Sequence, residues 1–370
     1  MKPLRLLLVS ARYPPYVGGT EIHTAEVATR LVALGHHVSV LTTDPTGSAP
    51  AEEVCDGVRV LRVPAWPRAR DWYVAPKVAS VVAGEAWDVL HVQGYHTFVA
   101  PLAMAAAARQ RRPFVVTFHS GGHSSRFRHL VRPVQRRAMR PLLRRASRLI
   151  GVSPFETALF ERALDLPPER FATISNGTSF HAAPRPAGPA ERPIICSVGR
   201  VERYKGHSRV VAALPELRRS VPDVLYRVIG SGPYADRLLH QAERLGVRDA
   251  VELMSVPRER RDELPALLQE AAVFLLLSDY ESQGIAVLEA LSVGVPVLVA
   301  DTSALHDLTG EHNVWVVPPN SPPAQLADAI LEVMAAPRQS GAPALPDWDD
   351  IVAQLVDLYR DVLEAPACGS

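Results

Sequence analysis

The sequence predicts an α/β protein built from two doubly wound parallel sheets. Three observations carry this. Short, wholly apolar runs alternate with helical stretches along nearly all of the 370 residues, as buried parallel strands and their crossover helices should. The alternation stops once, in the proline-rich segment His181 to Pro193, and then restarts. The length suits about two domains.

Leu4 to Val9 is the first buried strand. A turn rich in Pro and Gly, Pro14 to Gly19, leads to a helix from about Thr20 to Ala33, with Ile22, Val27, Leu31 and Leu34 near one face and Gly35 as its stop. Strands follow at Val38 to Thr42, Val58 to Val63 and Val89 to Val92, with a weaker helix at Val78 to Ala86. Phe98 to Ala108 is helical. Pro113 to Phe118 is a strand ending at His119. Leu149 to Val152 is a strand, Pro154 to Leu164 a helix, and Phe171 to Ile174 the last strand of this half. In the second half, strands are expected at Ile194 to Val198, Val224 to Ile229, Val251 to Met254, Val273 to Leu277, Val295 to Val299 and Val314 to Val317. The helices between and after them are His207 to Arg219, Tyr234 to Leu245, Glu259 to Ala271, Ile285 to Leu291 and Pro323 to Ala335. Trp348 to Leu363 is a closing amphipathic helix. The expected domains are 1–183 and 194–346, joined by a linker at 184–193, with 347–365 packing back on the first. No repeat is visible.

The chain is 47% hydrophobic and 21% charged with a net charge of +1, which is ordinary for a soluble globular protein and gives no reason to expect nucleic acid as a partner. Cys55, Cys196 and Cys368 form neither a pair spacing nor a metal signature, so a reducing, cytoplasmic setting is the default. The apolar start is too short to span a membrane and reads as a strand. Lys2, Lys77 and Lys205 are the only lysines among 40 basic residues. A placed lysine therefore means more here than a placed arginine.

Ser278 to Asp301, SDYESQGIAVLEALSVGVPVLVAD, is the most informative stretch. It reads as strand end, polar turn, helix and strand, and the carboxyl end of a strand is where open α/β sheets bind ligands. The helix start near Gly284 and Ile285 offers free N–H groups to an anion. Glu281 lies in the turn before it and Glu289 just over one turn inside it. A carboxylate on each side of an anion site suits a phosphate flanked by hydroxyls, the layout of a nucleotide-sugar.

With these residues in view, the chain resembles the family-4 retaining glycosyltransferases of GT-B fold. The resemblance covers nearly the whole chain, with motifs in the expected order: VGGTEIHTAEVATRLVALGHHVSVLTT, VVTFH, ISNGT, VGRVERYKG, VIGSGP and ESQGIAVLEAL. It implies two Rossmann-like domains facing each other across a cleft, a closing helix that braces the first, and domain closure over the substrates. It implies that Arg200 and Lys205 stabilise a diphosphate leaving group, that Glu289 holds ribose hydroxyls, and that Glu281 faces the donor sugar. Gly284 and Ile285 would give backbone N–H groups to the diphosphate. Gly18 and Gly19 would border the donor phosphate and the acceptor, His119 would lie near the donor sugar, and Met254 near the base. No metal is expected. The donor would be a nucleotide-sugar, UDP-linked by preference, and the acceptor a lipid, glycan or small-molecule hydroxyl bound by the first domain. Ser282-Gln283 stands where many relatives have Gly-Phe, which puts the sugar in doubt but not the fold or the reaction.

Other readings compete. An epimerase of the same fold would need acid and base groups flanking the sugar. A non-catalytic binder would not need Arg200, Lys205, Glu281 and Glu289 together. Gly230-Ser231-Gly232-Pro233-Tyr234-Ala235 fits a dinucleotide fingerprint but sits on the second strand–helix unit. His119 and His123 have a metal-like spacing, broken by Gly121-Gly122. Asp347-x-Asp349 reads as a helix cap. Twelve arginines and no acidic residue fall from Arg109 to Arg148. Arg128, Arg132, Arg136, Arg140, Arg144 and Arg148 recur every four, giving either a solvated face or a peripheral contact with anionic membrane. Pro133 and Pro141 argue against one unbroken helix there.

Overall fold

A computed structural model describes residues 2–16, 18–67, 74–120, 126–178, 180, 192–336 and 345–365, with the backbone alone at 126–133 and 258. Residues 184–191 of the expected linker, His123 and Cys368 lie outside the described residues. By its contacts the chain forms two compact units. Unit 1 comprises Met1–Ser120, Phe127–Asn176 and Asp347–Ser370, and unit 2 comprises Gly121–Arg126 and Gly177–Pro346.

Unit 1 runs β1 (Arg5–Ser10), α1 (Gly19–Ala33), β2 (His37–Asp44), β3 (Glu52–Cys55), β4 (Val58–Pro64), α2 (Lys77–Gly84), β5 (Val89–Gln93), α3 (Val99–Arg109), β6 (Phe114–Thr117), α4 (Arg126–Leu143), β7 (Arg148–Gly151), α5 (Pro154–Leu164) and β8 (Phe171–Thr173). The strands order as β3-β4-β2-β1-β5-β6-β7-β8, parallel except for β3 against β4. Side chains along β1 alternate between faces. Leu7 and Val9 enter a core with Met104, Phe118 and Phe160. Leu6 and Leu8 enter another with Leu31, Trp348, Leu355 and Tyr359.

Unit 2 runs β9 (Ile194–Val198), α6 (His207–Ser220), β10 (Leu225–Ile229), α7 (Ala235–Arg244), β11 (Val251–Met254), α8 (Leu264–Gln269), β12 (Val273–Leu276), α9 (Ile285–Ser292), β13 (Val297–Ala300), β14 (Val314–Val317) and α10 (Pro323–Ala335). The order is β11-β10-β9-β12-β13-β14, all parallel. The winding reverses between β9 and β12, and ligands of open sheets sit at the carboxyl ends of such strands. The final helix α11 (Trp348–Glu364) belongs to unit 1.

Four details differ from expectation. β3 was not anticipated, because its four residues are half exposed and carry two glutamates. α4 is one helix through Pro133 and Pro141. Its Met139 and Leu143 are buried, and this packing outweighs the cost of about 3 kcal/mol per internal proline. The expected helix Glu259 to Ala271 is instead a 3-10 segment, Arg258–Glu263, followed by α8, with a break at Arg260 (φ −115°, ψ 21°). Leu34 caps α1 and is exposed rather than on its buried face.

Candidate functional site

In unit 2 the site grows from the ends of β9 and β12. After β9 the chain turns through Gly199, Arg200 and Val201 into a 3-10 turn, Arg203–Lys205. Gly206 then takes a left-handed conformation (φ 77°) and starts α6. A Cβ at Gly206 would collide with the Leu277 carbonyl, so this glycine lets the Lys205 turn press against the end of β12. Asp279 N donates to the Tyr204 carbonyl across the same contact, at 2.7 Å. His207 is buried beneath the turn, its Nδ1 2.9 Å from the Tyr226 hydroxyl. Burial and the charge of Lys205 lower its pKa to about 4.

Lys205 Nζ donates to Glu281 Oε1 at 2.6 Å, and Ser278 Oγ donates to the same oxygen at 2.6 Å. Burial opposes the charge on Lys205. Glu281 and Tyr204 outweigh it, and the lysine pKa is raised. Glu281 N in turn donates to Ser303 Oγ at 2.8 Å, with Ser303 in the left-handed region (φ 46°). Arg200 is half exposed and its guanidinium pairs with Glu202 at 2.9 Å. Lys205 and Glu281 are thus in contact, with Arg200 on the same turn.

Gly284 (φ 96°) caps α9 in the left-handed region. The N–H groups of Ile285 and Ala286 at its start have no intrahelical acceptor, while Val287 N already donates to the Gly284 carbonyl at 2.9 Å. Glu289, the fifth residue of α9, is buried and ion-paired with Arg261, whose guanidinium lies 5.4 Å from the centre of the Phe180 ring. Ser282 is half-buried and Gln283 buried in the turn before Gly284. Met254 ends β11, and its carbonyl accepts from Gly230 N at 2.7 Å. The glycines of the fingerprint-like turn have a packing role. A Cβ at Gly230 would meet the Gly199 carbonyl, and one at Gly232 the Val201 carbonyl. They allow the turn after β10 to lie against the turn that carries Arg200.

In unit 1, Gly18 is the extended cap of α1 and Gly19 its first residue. His119 follows β6 with φ 45°, a region that few side chains adopt and His more readily than most. The buried carboxylate of Glu156 clamps this turn. Its Oε1 accepts from Ser120 N at 2.6 Å and Ser120 Oγ at 2.5 Å, and its Oε2 from Val152 N at 2.9 Å. Burial raises the Glu156 pKa against the pull of these bonds. His119 is itself buried, and desolvation with the nearby His23, His91 and His96 holds its pKa well below the ordinary value.

Arg261, Ser278, Ser303 and Glu156 were not anticipated. Ser153-Pro-Phe-Glu156 does carry a capping-box spacing. Ser153 Oγ accepts from Glu156 N at 3.1 Å as the box requires, but the carboxylate turns to Val152 and Ser120. Asp347 caps α11 by accepting from Asp349 N at 2.9 Å, as the sequence suggested. The arginine run is partly structural. Arg140 bonds the Leu164 carbonyl at 2.8 Å and Asp165 at 2.9 Å, and Arg112 lies 3.6 Å over the Trp87 ring. Among the described residues no group of three or more His, Cys, Asp or Glu is placed to hold a metal. No helix among them is long and apolar enough to cross a membrane.

Two family profiles match the chain, "Glycosyl transferase 4-like domain" over residues 18–177 and "Glycosyl transferases group 1" over 182–342. A glycogen synthase of Mycobacterium tuberculosis is 31% identical, the match covering 96% of this chain and 94% of that protein. The chain belongs to the family-4, group 1 glycosyltransferases. A second relative of this glycosyltransferase is the GDP-mannose-dependent alpha-(1-6)-phosphatidylinositol monomannoside mannosyltransferase of Mycolicibacterium smegmatis, 27% identical over 91% of each chain. Among solved structures, the sucrose-phosphate synthase of Thermosynechococcus elongatus superposes with a TM-score of 0.81 at 23% identity, over 98% of this chain and 99% of that one. The HepE protein of Anabaena, in complex with UDP and glucose, gives 0.76 at 20% identity, over 96% and 99%. The glycosyltransferase therefore has the GT-B fold. Enzymes of its family transfer sugar from a nucleotide-sugar donor without a metal ion.

Proposed function

We propose that this enzyme is a retaining glycosyltransferase that uses a UDP-linked sugar and passes it to an acceptor hydroxyl bound by unit 1. The observation that carries the donor half is the buried contact of Lys205 with Glu281 at 2.6 Å, beside the Gly284-capped start of α9. In this reading Lys205 and Arg200 meet the terminal phosphate of the leaving nucleoside diphosphate, where negative charge grows in the transition state. Gly284 and Ile285 give it backbone N–H groups. Glu281 faces the sugar, Ser282 and Gln283 help select it, Glu289 holds the ribose, and Met254 lies near the base. From unit 1, Gly18 and Gly19 border phosphate and acceptor, and His119 meets the sugar. The complex of the Anabaena protein with UDP and glucose supports a UDP-sugar, and the Mycolicibacterium mannosyltransferase makes GDP-mannose the rival donor.

The Mycolicibacterium relative, named for phosphatidylinositol monomannoside, supports a lipid-linked acceptor. The acid-free arginine helix α4, with Arg137 and Val134 exposed, supports a peripheral contact with anionic lipid. Sedimentation with liposomes, with and without anionic lipid, tests this part; equal and negligible pelleting ends it.

A thermal-shift screen of UDP-, GDP-, ADP- and TDP-sugars tests the donor. A ligand at 100 times its dissociation constant adds about 2.7 kcal/mol of stability. A shift with UDP compounds, product formed only when an acceptor is present, and an anomeric configuration kept in the product are the expected results. Product from donor alone would mean an epimerase. Lys205→Ala without effect on any turnover would mean a binding protein.

A further inference from the structure

Unit 1 buries a chain of polar side chains that leads to His119. The Tyr359 hydroxyl of α11 is 2.7 Å from His91 Nδ1. His91 Nε2 is 2.7 Å from Thr117 Oγ1 and 3.3 Å from Gln93 Nε2. Gln93 Oε1 is 2.8 Å from His119 Nε2. All five side chains are buried.

The amide of Gln93 makes this chain directional, because its nitrogen only donates and its oxygen only accepts. With the nitrogen toward His91, His91 Nε2 carries no proton. The neutral ring then holds its proton on Nδ1 and donates it to the Tyr359 oxygen, while Thr117 Oγ1 donates to Nε2. With the amide oxygen toward His119, the proton of that ring sits on Nε2. We propose that Gln93, anchored by His91 and Tyr359, is a positioning residue that fixes His119 as the neutral Nε2–H tautomer. Since Nε2 is engaged by Gln93, the nitrogen left to a substrate is Nδ1, a hydrogen-bond acceptor. The ring then accepts a hydrogen bond from a sugar hydroxyl rather than donating one. This last step rests on the proposed contact of His119 with the donor sugar.

The surroundings keep the rings neutral. His23, on α1, lies edge-on to His119 with ring centres 4.5 Å apart, and its Nδ1 is 2.7 Å from Asn176 Oδ1. Burial lowers His23 to about 4 and His91 to about 3. His96 adds like-charge repulsion against protonation of His119. The Glu156 carboxylate is occupied by Ser120 and Val152. A tautomer set by hydrogen bonds is therefore stable at neutral pH.

The test uses the full-length enzyme with 15N-labelled histidine and long-range proton–nitrogen correlation, the His119 signal being identified by its loss in His119→Gln. The expected wild-type pattern is Nε2–H at His119. Gln93→Glu keeps an acceptor toward His119, so the Nε2–H pattern stays there and His91 changes tautomer. Gln93→Met keeps the shape without polar atoms, so His119 loses its preference and kcat falls about 10–100-fold, by analogy with the partners that orient ligating histidines in metal enzymes. A role in packing alone would make both variants fall in step with stability. An Nδ1–H pattern in the wild type, as a reversed amide would give, overturns the proposal, and so does an unchanged His119 tautomer in Gln93→Met. If His119→Gln transfers sugar at the wild-type rate while the tautomer is as expected, the substrate role of His119 fails and the assignment of Gln93 stands.

Discussion

The Lys205–Glu281 pair predicts a double-mutant cycle whose outcome depends on burial. The two side chains are only 15% and 12% exposed and meet at 2.6 Å. Lys205→Met leaves the Glu281 carboxylate buried with Ser278 as a donor and no counter-charge. Breaking a buried pair from one side costs about 3–5 kcal/mol, because the remaining charge is stranded. Glu281→Gln strands the lysine in the same way. The double variant strands neither, so it should cost less than the sum by about 2 kcal/mol or more. An exposed pair would give a coupling of about 0–1 kcal/mol. Hydrogen exchange of the buried amides in β9 and β12 reads the opening of unit 2 without requiring the whole chain to unfold in one step. Costs that add within about 0.5 kcal/mol would show that the charges do not depend on each other and would refute the argument from burial.

Three further outcomes follow from the geometry. Glu156→Gln turns an amide N–H toward Val152 N or Ser120 N; we expect a loss of about 1–3 kcal/mol, read by thermal melting, and a looser His119 turn, read from amide exchange at Ser120. Gly206→Ala places a methyl on the Leu277 carbonyl at φ 77°; the left-handed penalty alone is about 1–2 kcal/mol, and turnover should fall with Lys205 displaced while unit 1 melts unchanged. Acid should destabilise unit 1 through His23 and His91, whose folded values of about 4 and about 3 lie below the ordinary 6.5. The unfolded chain then binds more protons, so this stability is full above about pH 6.5 and falls as pH drops toward 4 and 3, by about 2 kcal/mol per ring at pH 5. A flat stability between pH 7 and 5 would contradict it.

Much of this was legible in the sequence for physical reasons. Buried parallel strands are wholly apolar and short, so β1, β9 and β12 stand out in any reading. The turn from Glu281 to Glu289 could be placed because a glycine-capped helix start needs few residues to specify it. The partners of those residues were not legible. Glu289 meets Arg261, 28 positions earlier, from a 3-10 segment whose pattern looked like plain helix. Gln93 and His91 sit in an apolar strand where polar side chains give no period, and Tyr359 looks like one more apolar position of an amphipathic helix. α4 was misjudged because local proline rules were set against packing at Met139 and Leu143 that only the folded unit reveals.

The discontinuity of unit 1 has a consequence for synthesis. Arg30 reaches Asp349, 319 positions on, and His91 reaches Tyr359, 268 positions on. During translation all of unit 2 leaves the ribosome before α11 does. Until then the nascent first half lacks Trp348, Ile351 and Leu355 against Leu6, Leu8 and Leu31, and one side of its sheet stays wet. Contacts this distant in sequence form late and slowly, while unit 2 is nearly continuous and can close as soon as it emerges. The second half of the chain should therefore mature first. In the interval the apolar face beside α1 is the natural point of capture for a chaperone or for a misfolded neighbour.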